Sequence, residues 1–234
     1  MIPNRTRVHL DPARSTPARS TPSGTTFCRV RTALATLGTI ALLAGCTILP
    51  RPEPVDVFLL PSATPAPTAA DDVQALPWSL RVTRPVAGVH LAGQRIVVIP
   101  RDNHVSVYKG ANWSEPAPIL VRNRLLDAFR ADARIDALSS DDKRVHADFE
   151  LDSDLRAFHS EYRIGAPEVV IRLDARLVHA AGQRIVASRS FEIREPVAGT
   201  AVPEVVQAFG HAGDRLAQAL VAWTVERANA VQSH

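Results

Sequence analysis

Few side chains in this sequence stand in a frame that performs chemistry, and the plainest is Cys46. It closes the tetrapeptide Leu43-Ala44-Gly45-Cys46. The small residues Ala44 and Gly45 let a peptidase approach the backbone, and the Cys46 thiol is an atom that accepts lipid. The expected events are cleavage between Gly45 and Cys46 and attachment of acyl chains at Cys46. Other candidates are weaker. His146, His159 and His179 would approach one another if their strands are neighbours, or stand apart as unrelated surface or half-buried histidines. His159 with Glu161 offers the one pair from which a hydrolytic site could be assembled. Asp148, Glu150, Asp152 and Asp154 alternate along one predicted strand. They read as an acidic sheet edge that discourages pairing between sheets, or as a face that binds a partner, with the edge favoured. Trp113, ahead of a predicted helix, is either a ligand platform or, more often in such positions, a lid over the helix start. No H-E-x-x-H, C-x-x-C, G-x-S-x-G or phosphate-binding glycine loop occurs. No catalytic residue, metal site or cofactor is therefore expected, apart from covalent lipid on Cys46.

The segments around Cys46 suit that chemistry. Arg29 and Arg31 precede the apolar run Thr32 to Leu43. Twelve helical residues reach about 18 Å, short of a hydrocarbon core about 30 Å thick, so the run reads as the apolar part of an export signal. The tetrapeptide then matches a bacterial lipobox. Lipid contributes about 0.8 kcal/mol per buried CH₂, and more than one chain makes anchoring stable. Thr47, in the place where an Asp commonly retains such chains at the inner membrane, favours the outer membrane. Residues 1–28 are polar and rich in Arg, Ser, Thr and Pro, which suggests a later start, at an alternative codon for Val30. After Cys46 the prolines Pro50, Pro52 and Pro54 make residues 46–54 an extended, partly stiff tether.

Charge excludes one class of function. The chain of 234 residues has 27 basic and 24 acidic side chains. Residues 1–45 hold six of the basic side chains and one of the acidic, leaving a mildly acidic remainder. Such a domain has no electrostatic footprint for nucleic acid. Cysteine occurs only at Cys28 and Cys46, so nothing after the tether can form an internal disulfide or a thiolate metal site. Of the positive side chains only Lys109 and Lys143 are lysines, which looks like a coding bias.

Periodicity in residues 55–229 predicts one domain. Short strands are expected at Val55–Leu60, Trp78–Val82, Arg95–Ile99, Val105–Tyr108 and Ile135–Leu138, with a loop over residues 61–77. Pro116 and Pro118 set the start of a helix whose stripe Val121, Leu125, Ala128 and Phe129 ends near Asp132. Asp141-Asp142-Lys143-Arg144 reads as a solvated turn. Three longer strands follow, Asp148–Tyr162, Val169–Val178 and Arg184–Arg194, as an antiparallel meander with one solvated face. The apolar phase of the first shifts near Arg156, a bulge signal. Arg189 is the odd residue on the apolar face of the third. A long helix runs from Val202 to about Ala228, and residues 230–234 are expected to be a disordered tail. The fold class is an α/β two-layer sandwich: a mixed sheet with a C-terminal antiparallel meander and two main helices on one face.

An ordered set of segments carries a resemblance. These are Val57-Phe58-Leu59-Leu60-Pro61, Trp78-Ser79-Leu80-Arg81-Val82, Arg95-Ile96-Val97-Val98-Ile99 and the stretch from Val107 to Pro116. They continue with Leu155-Arg156-Ala157-Phe158, Ala187 to Phe191, Ala201 to Val206 and Leu220 to Thr224. The chain resembles the ABC-type transport auxiliary lipoproteins, partners of mammalian-cell-entry (MCE) domain transport systems including the paraquat-inducible type. It departs from the family pattern at Phe58, commonly Tyr, and Asn112, often Arg, which leaves open whether the partner surface is the same. The resemblance implies a non-catalytic periplasmic accessory, lipid-anchored at the outer membrane, that docks or organises an MCE protein. That protein would work with an inner-membrane ATPase and permease on phospholipid or another hydrophobic cargo. Two further readings stand beside it: a free lipid-binding carrier, and a hydrolase built around His159 and Glu161. Whether the domain forms a homo-oligomer, and which residues contact a partner, stay open.

Overall fold

The computed structural model describes residues 54–62, 74–143, 145–163 and 165–232. Cys46, Gly45, the leader and nearly all of the tether lie outside the described residues.

Fourteen residues of β-propensity and alternating polarity, Phe149–Tyr162, form the strand on which the sheet is built. In chain order the strands are β1 (Asp56–Phe58), β2 (Leu80–Val82), β3 (Val86–Ala87), β4 (Arg95–Ile99), β5 (Ser106–Trp113), β6 (Leu138–Ser140), β7 (Phe149–Tyr162), β8 (Pro167–His179) and β9 (Arg184–Pro196). The helices are α1 (Ala117–Asp132) and α2 (Val202–Gln232). One edge of β7 pairs antiparallel with β8 along its whole length, and β8 pairs with β9. This is the expected meander. The other edge of β7 is shared by three short parallel strands: β2 at its start, β3 in its middle and β4 near its end. Beyond β2 lies β6, and beyond β4 lie β5 and then β1.

The sheet is mixed, with both helices on one of its faces, as the two-layer reading requires. Phe149, Leu151, Leu155 and Phe158 of β7, and Ile171, Leu173, Ala175 and Leu177 of β8, share one core with Leu125 and Phe129 of α1 and Phe209, Leu216 and Leu220 of α2. The spacing from Leu155 to Phe158 is three residues, and the register between β7 and β8 shifts between Leu155 and Ala157. Arg156 is thus the extra residue that lets the strand keep apolar side chains on the core side beyond it.

Local signals set the helix ends. Pro116 and Pro118 bracket the first residue of α1, which has no side-chain N-cap. It ends at Ala133, a left-handed residue (φ 60°) whose N–H donates to the Phe129 carbonyl at 3.3 Å. At the start of α2 the Glu204 carboxylate accepts from the Ala201 N–H at 2.9 Å, the reciprocal half of a capping box. That helix continues to Gln232, so three residues of the stretch expected to be disordered are helical. The β8–β9 turn takes its left-handed residue at Gln183 (φ 48°).

Several strand boundaries differ from expectation. The first strand is shorter, β6 lies at 138–140 instead of 135–138, and β3 was not anticipated. Most of all, β5 runs to Trp113. Gly110 (φ 70°) breaks its alternation, so its second half cannot be seen as period two.

Candidate functional site

Four places carry the polar groups that could act. The first is the solvated face of the meander. Side chains on that face alternate with core residues along β7, β8 and β9, so charges on neighbouring strands stand opposite one another. The Arg176 guanidinium donates to Asp152 at 2.8 Å and to Asp154 at 2.7 Å. Arg156 meets Asp174 at 2.8 Å, and the other oxygen of Asp174 accepts from the Ser190 hydroxyl at 2.6 Å. Arg81 of β2 pairs with Glu150. Arg194 is a hub, reaching Glu161 at 2.7 Å and both Glu168 and Glu192 at 2.8 Å. These three carboxylates raise the pKa of Arg194, with Glu161 the largest cause. The hydrogen bond from Ser190 and then that from Arg156 hold the Asp174 carboxyl below its usual range.

The acidic row is therefore not a sheet edge. β7 is paired on both sides, and Glu150, Asp152 and Asp154 sit on its open face with arginines from neighbouring strands across them. The edge reading is corrected, because strand order could not be read from one strand. The odd Arg189 is also explained: its guanidinium carbon stands 4.9 Å from the centre of the Phe191 ring, a cation–π contact.

The second place is a cleft of about 540 Å³ at the start of β7. His146, Asp148, His179, Arg81 and Gln183 line it. Asp148 accepts from the Ser79 hydroxyl at 2.6 Å and from the Ser79 N–H at 2.8 Å. These bonds, the hydroxyl first, lower its pKa. The His179 ring stands edge-on to Phe149, itself edge-on to Trp78. Two of the three histidines therefore meet at one cleft. His159 does not join them, being ten residues along β7 from Phe149, the partner of His179. At about 3.3 Å per residue that is roughly 33 Å. Among the described residues no group of three His, Cys, Asp or Glu side chains could hold a metal.

The third place is His159 itself. Its Nε2 lies 3.5 Å from Glu161 Oε2, while Glu161 Oε1 accepts from Arg194. Burial pushes the His159 pKa down, more than Glu161 pushes it up. Burial raises Glu161, but the Arg194 and His159 contacts outweigh it and hold the carboxyl below its usual range. Ser160, between them, points to the other side of the strand and shares a 2.9 Å hydrogen bond with the Tyr108 hydroxyl. Burial, the largest cause, pushes Tyr108 up to about 12. Adjacent strand residues face opposite ways, so Ser160 and His159 do not form a nucleophile and base.

The fourth place, which sequence reasoning missed, is where the chain enters the domain. The Arg124–Asp214 ion pair joins α1 to α2 at 2.7 Å with both side chains nearly buried. The second Arg124 nitrogen donates to the Leu60 carbonyl at 3.0 Å and also to the Pro61 carbonyl. Gly210 of α2 makes room for that strap, since a Cβ there would come within 2.8 Å of the Pro61 oxygen. A lone Arg and Asp ninety residues apart leave no local signal. The only hint was a glycine inside a long helical stripe.

Two other expectations resolve differently. Trp113 is 1% exposed and packs against Phe158 and Phe209. It is a core residue at the end of β5, in keeping with the packing reading and not with a ligand platform. Asp141 and Asp142 do more than solvate a turn, since both reach Arg122 of α1 at 2.8 Å.

Comparison with known proteins adds the rest. The family model described as ABC-type transport auxiliary lipoprotein component matches residues 58–221. The crystal structure of a protein from Xanthomonas campestris superposes with a TM-score of 0.70 at 29% identity, covering 77% of this chain and all of that one. The crystal structure of an uncharacterized protein gives 0.57 at 17% identity over 73% of this chain and 98% of the other, a likeness of fold. An uncharacterized protein of Bradyrhizobium diazoefficiens is 32% identical over 152 residues, 65% of this chain. The aligned part spans only 41% of that protein's length.

Proposed function

Because the chain belongs to the ABC-type transport auxiliary lipoprotein component family, we propose that it is a non-catalytic, lipid-anchored accessory of an ABC transport system of the MCE type. In this reading Cys46 carries the lipid after cleavage behind Gly45. The domain faces the periplasm from the outer membrane, and its partner is an MCE-domain protein that conveys phospholipid or another hydrophobic cargo between the membranes. The domain holds that partner in place and needs no cofactor.

The observation that carries the reading is the extent of the family match, which covers the sheet and helices from β1 into α2. The chemistry of the open face supports it. Its charges are neutralised across strands, a pattern suited to a specific polar contact surface, and His159 and Glu161 are each engaged by neighbours. No described helix is long and apolar enough to cross a membrane, so attachment through Cys46 would supply the membrane contact. The carrier reading has less support. The space between helices and sheet is filled by Phe129, Phe158, Phe209, Trp113 and Leu125, and an acyl chain could enter only by displacing them.

The test is affinity purification of the tagged, membrane-extracted lipoprotein with mass spectrometry of its companions. An MCE protein in stoichiometric amount is the expected result. Its absence in several mild detergents would remove the MCE partner and turn attention to lipid bound by the purified domain. Undiminished function in a His159→Ala, Glu161→Ala double variant would remove the hydrolase reading.

A further inference from the structure

The described chain begins at Pro54, and its first extended segment has two unlike sides. Phe58 and Leu60 lie against the core. Val55, Val57 and Leu59, of the other parity, are 49%, 65% and 75% exposed. An exposed aliphatic row formed by Val57 of this outermost strand and the flanking Val55 and Leu59 is unusual, because edge strands are normally blunted with charge. β1 pairs only with β5 among the described residues. Farther along the same sheet, Val105, just ahead of β5, and Val107, near its start, are also exposed. The cross-strand row through Val57 continues to Asn112 and then to the exposed Arg95.

The length of chain before Pro54 decides what covers this strip. Cys46 is eight residues upstream, so even fully extended the tether spans at most about 29 Å. A domain held that closely meets its bilayer at far higher effective concentration than any freely diffusing partner. The part nearest the attachment point is the strip itself. Its aliphatic side chains suit the boundary between headgroups and acyl chains, and Arg95 at the end of the row suits lipid phosphate.

We propose that Val55, Val57 and Leu59 rest on the lipid surface in which Cys46 is anchored, so that the domain docks against the bilayer by its β1 edge. This rests on the reading of Cys46 as lipidated. The docked edge sets which face of the domain looks away from the membrane, and leaves the opposite edge strand, β9, clear of it.

The test uses the full lipoprotein reconstituted in vesicles of phosphatidylethanolamine and phosphatidylglycerol. Single-cysteine variants Val57→Cys, Leu59→Cys and Ile185→Cys are labelled with bimane. Lipidation consumes the Cys46 thiol and cleavage behind Gly45 removes Cys28, so one label per chain verifies the anchor, and more than one label would show that the anchoring premise itself fails. With one label per chain, shallow doxyl-labelled lipid is expected to quench positions 57 and 59 at least two-fold. Position 185 on β9 should be nearly unaffected. Absence of quenching at 57 and 59, or equal quenching at all three positions, overturns the proposal. So does an emission shift at 57 and 59 that ignores the doxyl lipid and grows with protein density, which would put a second copy of the chain on the strip.

Discussion

Arg124 is the side chain on which most depends. It satisfies a carboxylate on one helix and two carbonyls of the entering strand, all away from water. Replacing it with Met removes the cation and leaves Asp214 buried without its ion-pair partner, which costs about 3–5 kcal/mol. Urea unfolding of Arg124→Met should show that loss, and an Arg124→Met, Asp214→Leu pair should regain much of it. A double variant as unstable as the single would mean that the carbonyl bonds, not the ion pair, carry the stability. His159 gives a pH signature. Its folded pKa is depressed by burial, so between that value and the ordinary one near 6.5 the unfolded chain binds more protons. Stability therefore rises with pH through that window. The contribution is complete above the ordinary value and is lost as pH falls toward the folded one. The urea midpoint should fall between pH 7 and 5.5, and His159→Gln should flatten that slope; an unchanged slope would assign it elsewhere. The carboxylates Glu161, Asp148 and Asp174, held low by their partners, lose their contribution only from about pH 4 downward.

At the scale of elements, β7 organises everything beside it, and Arg156 forms the bulge within it. Deleting Arg156 removes the unpaired residue, so that Leu155, Ala157 and Phe158 alternate strictly against Leu173, Arg172 and Ile171 and Phe158 keeps to the core face. The deletion variant should keep its near-ultraviolet circular dichroism and cooperative unfolding with a straighter β7; loss of both would mean that the bend itself is required. Arg156→Ser, which keeps the bulge and removes only exposed ion pairs with Asp154 and Asp174, should leave the urea midpoint nearly unchanged. The bulge was legible in the sequence because Leu155 and Phe158 break strict alternation. Both helices were legible from their apolar stripes, and the first also from Pro116 and Pro118. The short strands were harder to see. Two or three residues, as in β2, β3 and β6, carry too little periodicity to state a partner, and their parallel pairing along one edge of β7 is set by long-range packing. The acidic row was read correctly as alternating and wrongly as an edge for the same reason: its partners Arg81 and Arg176 come from other strands. The Arg124 strap depends wholly on tertiary placement.

For the whole molecule, the segment 54–62 is part of the fold and not merely its leash. A chain beginning at Gln74 lacks β1 and the strap, exposes the edge of β5 and leaves Arg124 without its carbonyl partners. Such a truncation should lower the melting temperature by several degrees, since about 1 kcal/mol shifts a domain of this size by roughly 2–4 °C. It should also self-associate through the bared edge, which light scattering after gel filtration would show; a monomer of unchanged melting temperature would make the segment dispensable. The strap has a mechanical meaning as well. If the domain is tugged between a lipid at one end and a transport partner at the other, tension enters at Pro54 and runs along β1, where the β1–β5 hydrogen bonds share it in shear. What remains reaches Arg124, which passes it into both helices at once, well inside their ends. The joint between leash and body is thus a cleat: force is spread into both helices through Arg124 and Asp214, and the chain beyond Pro61 is spared the strain.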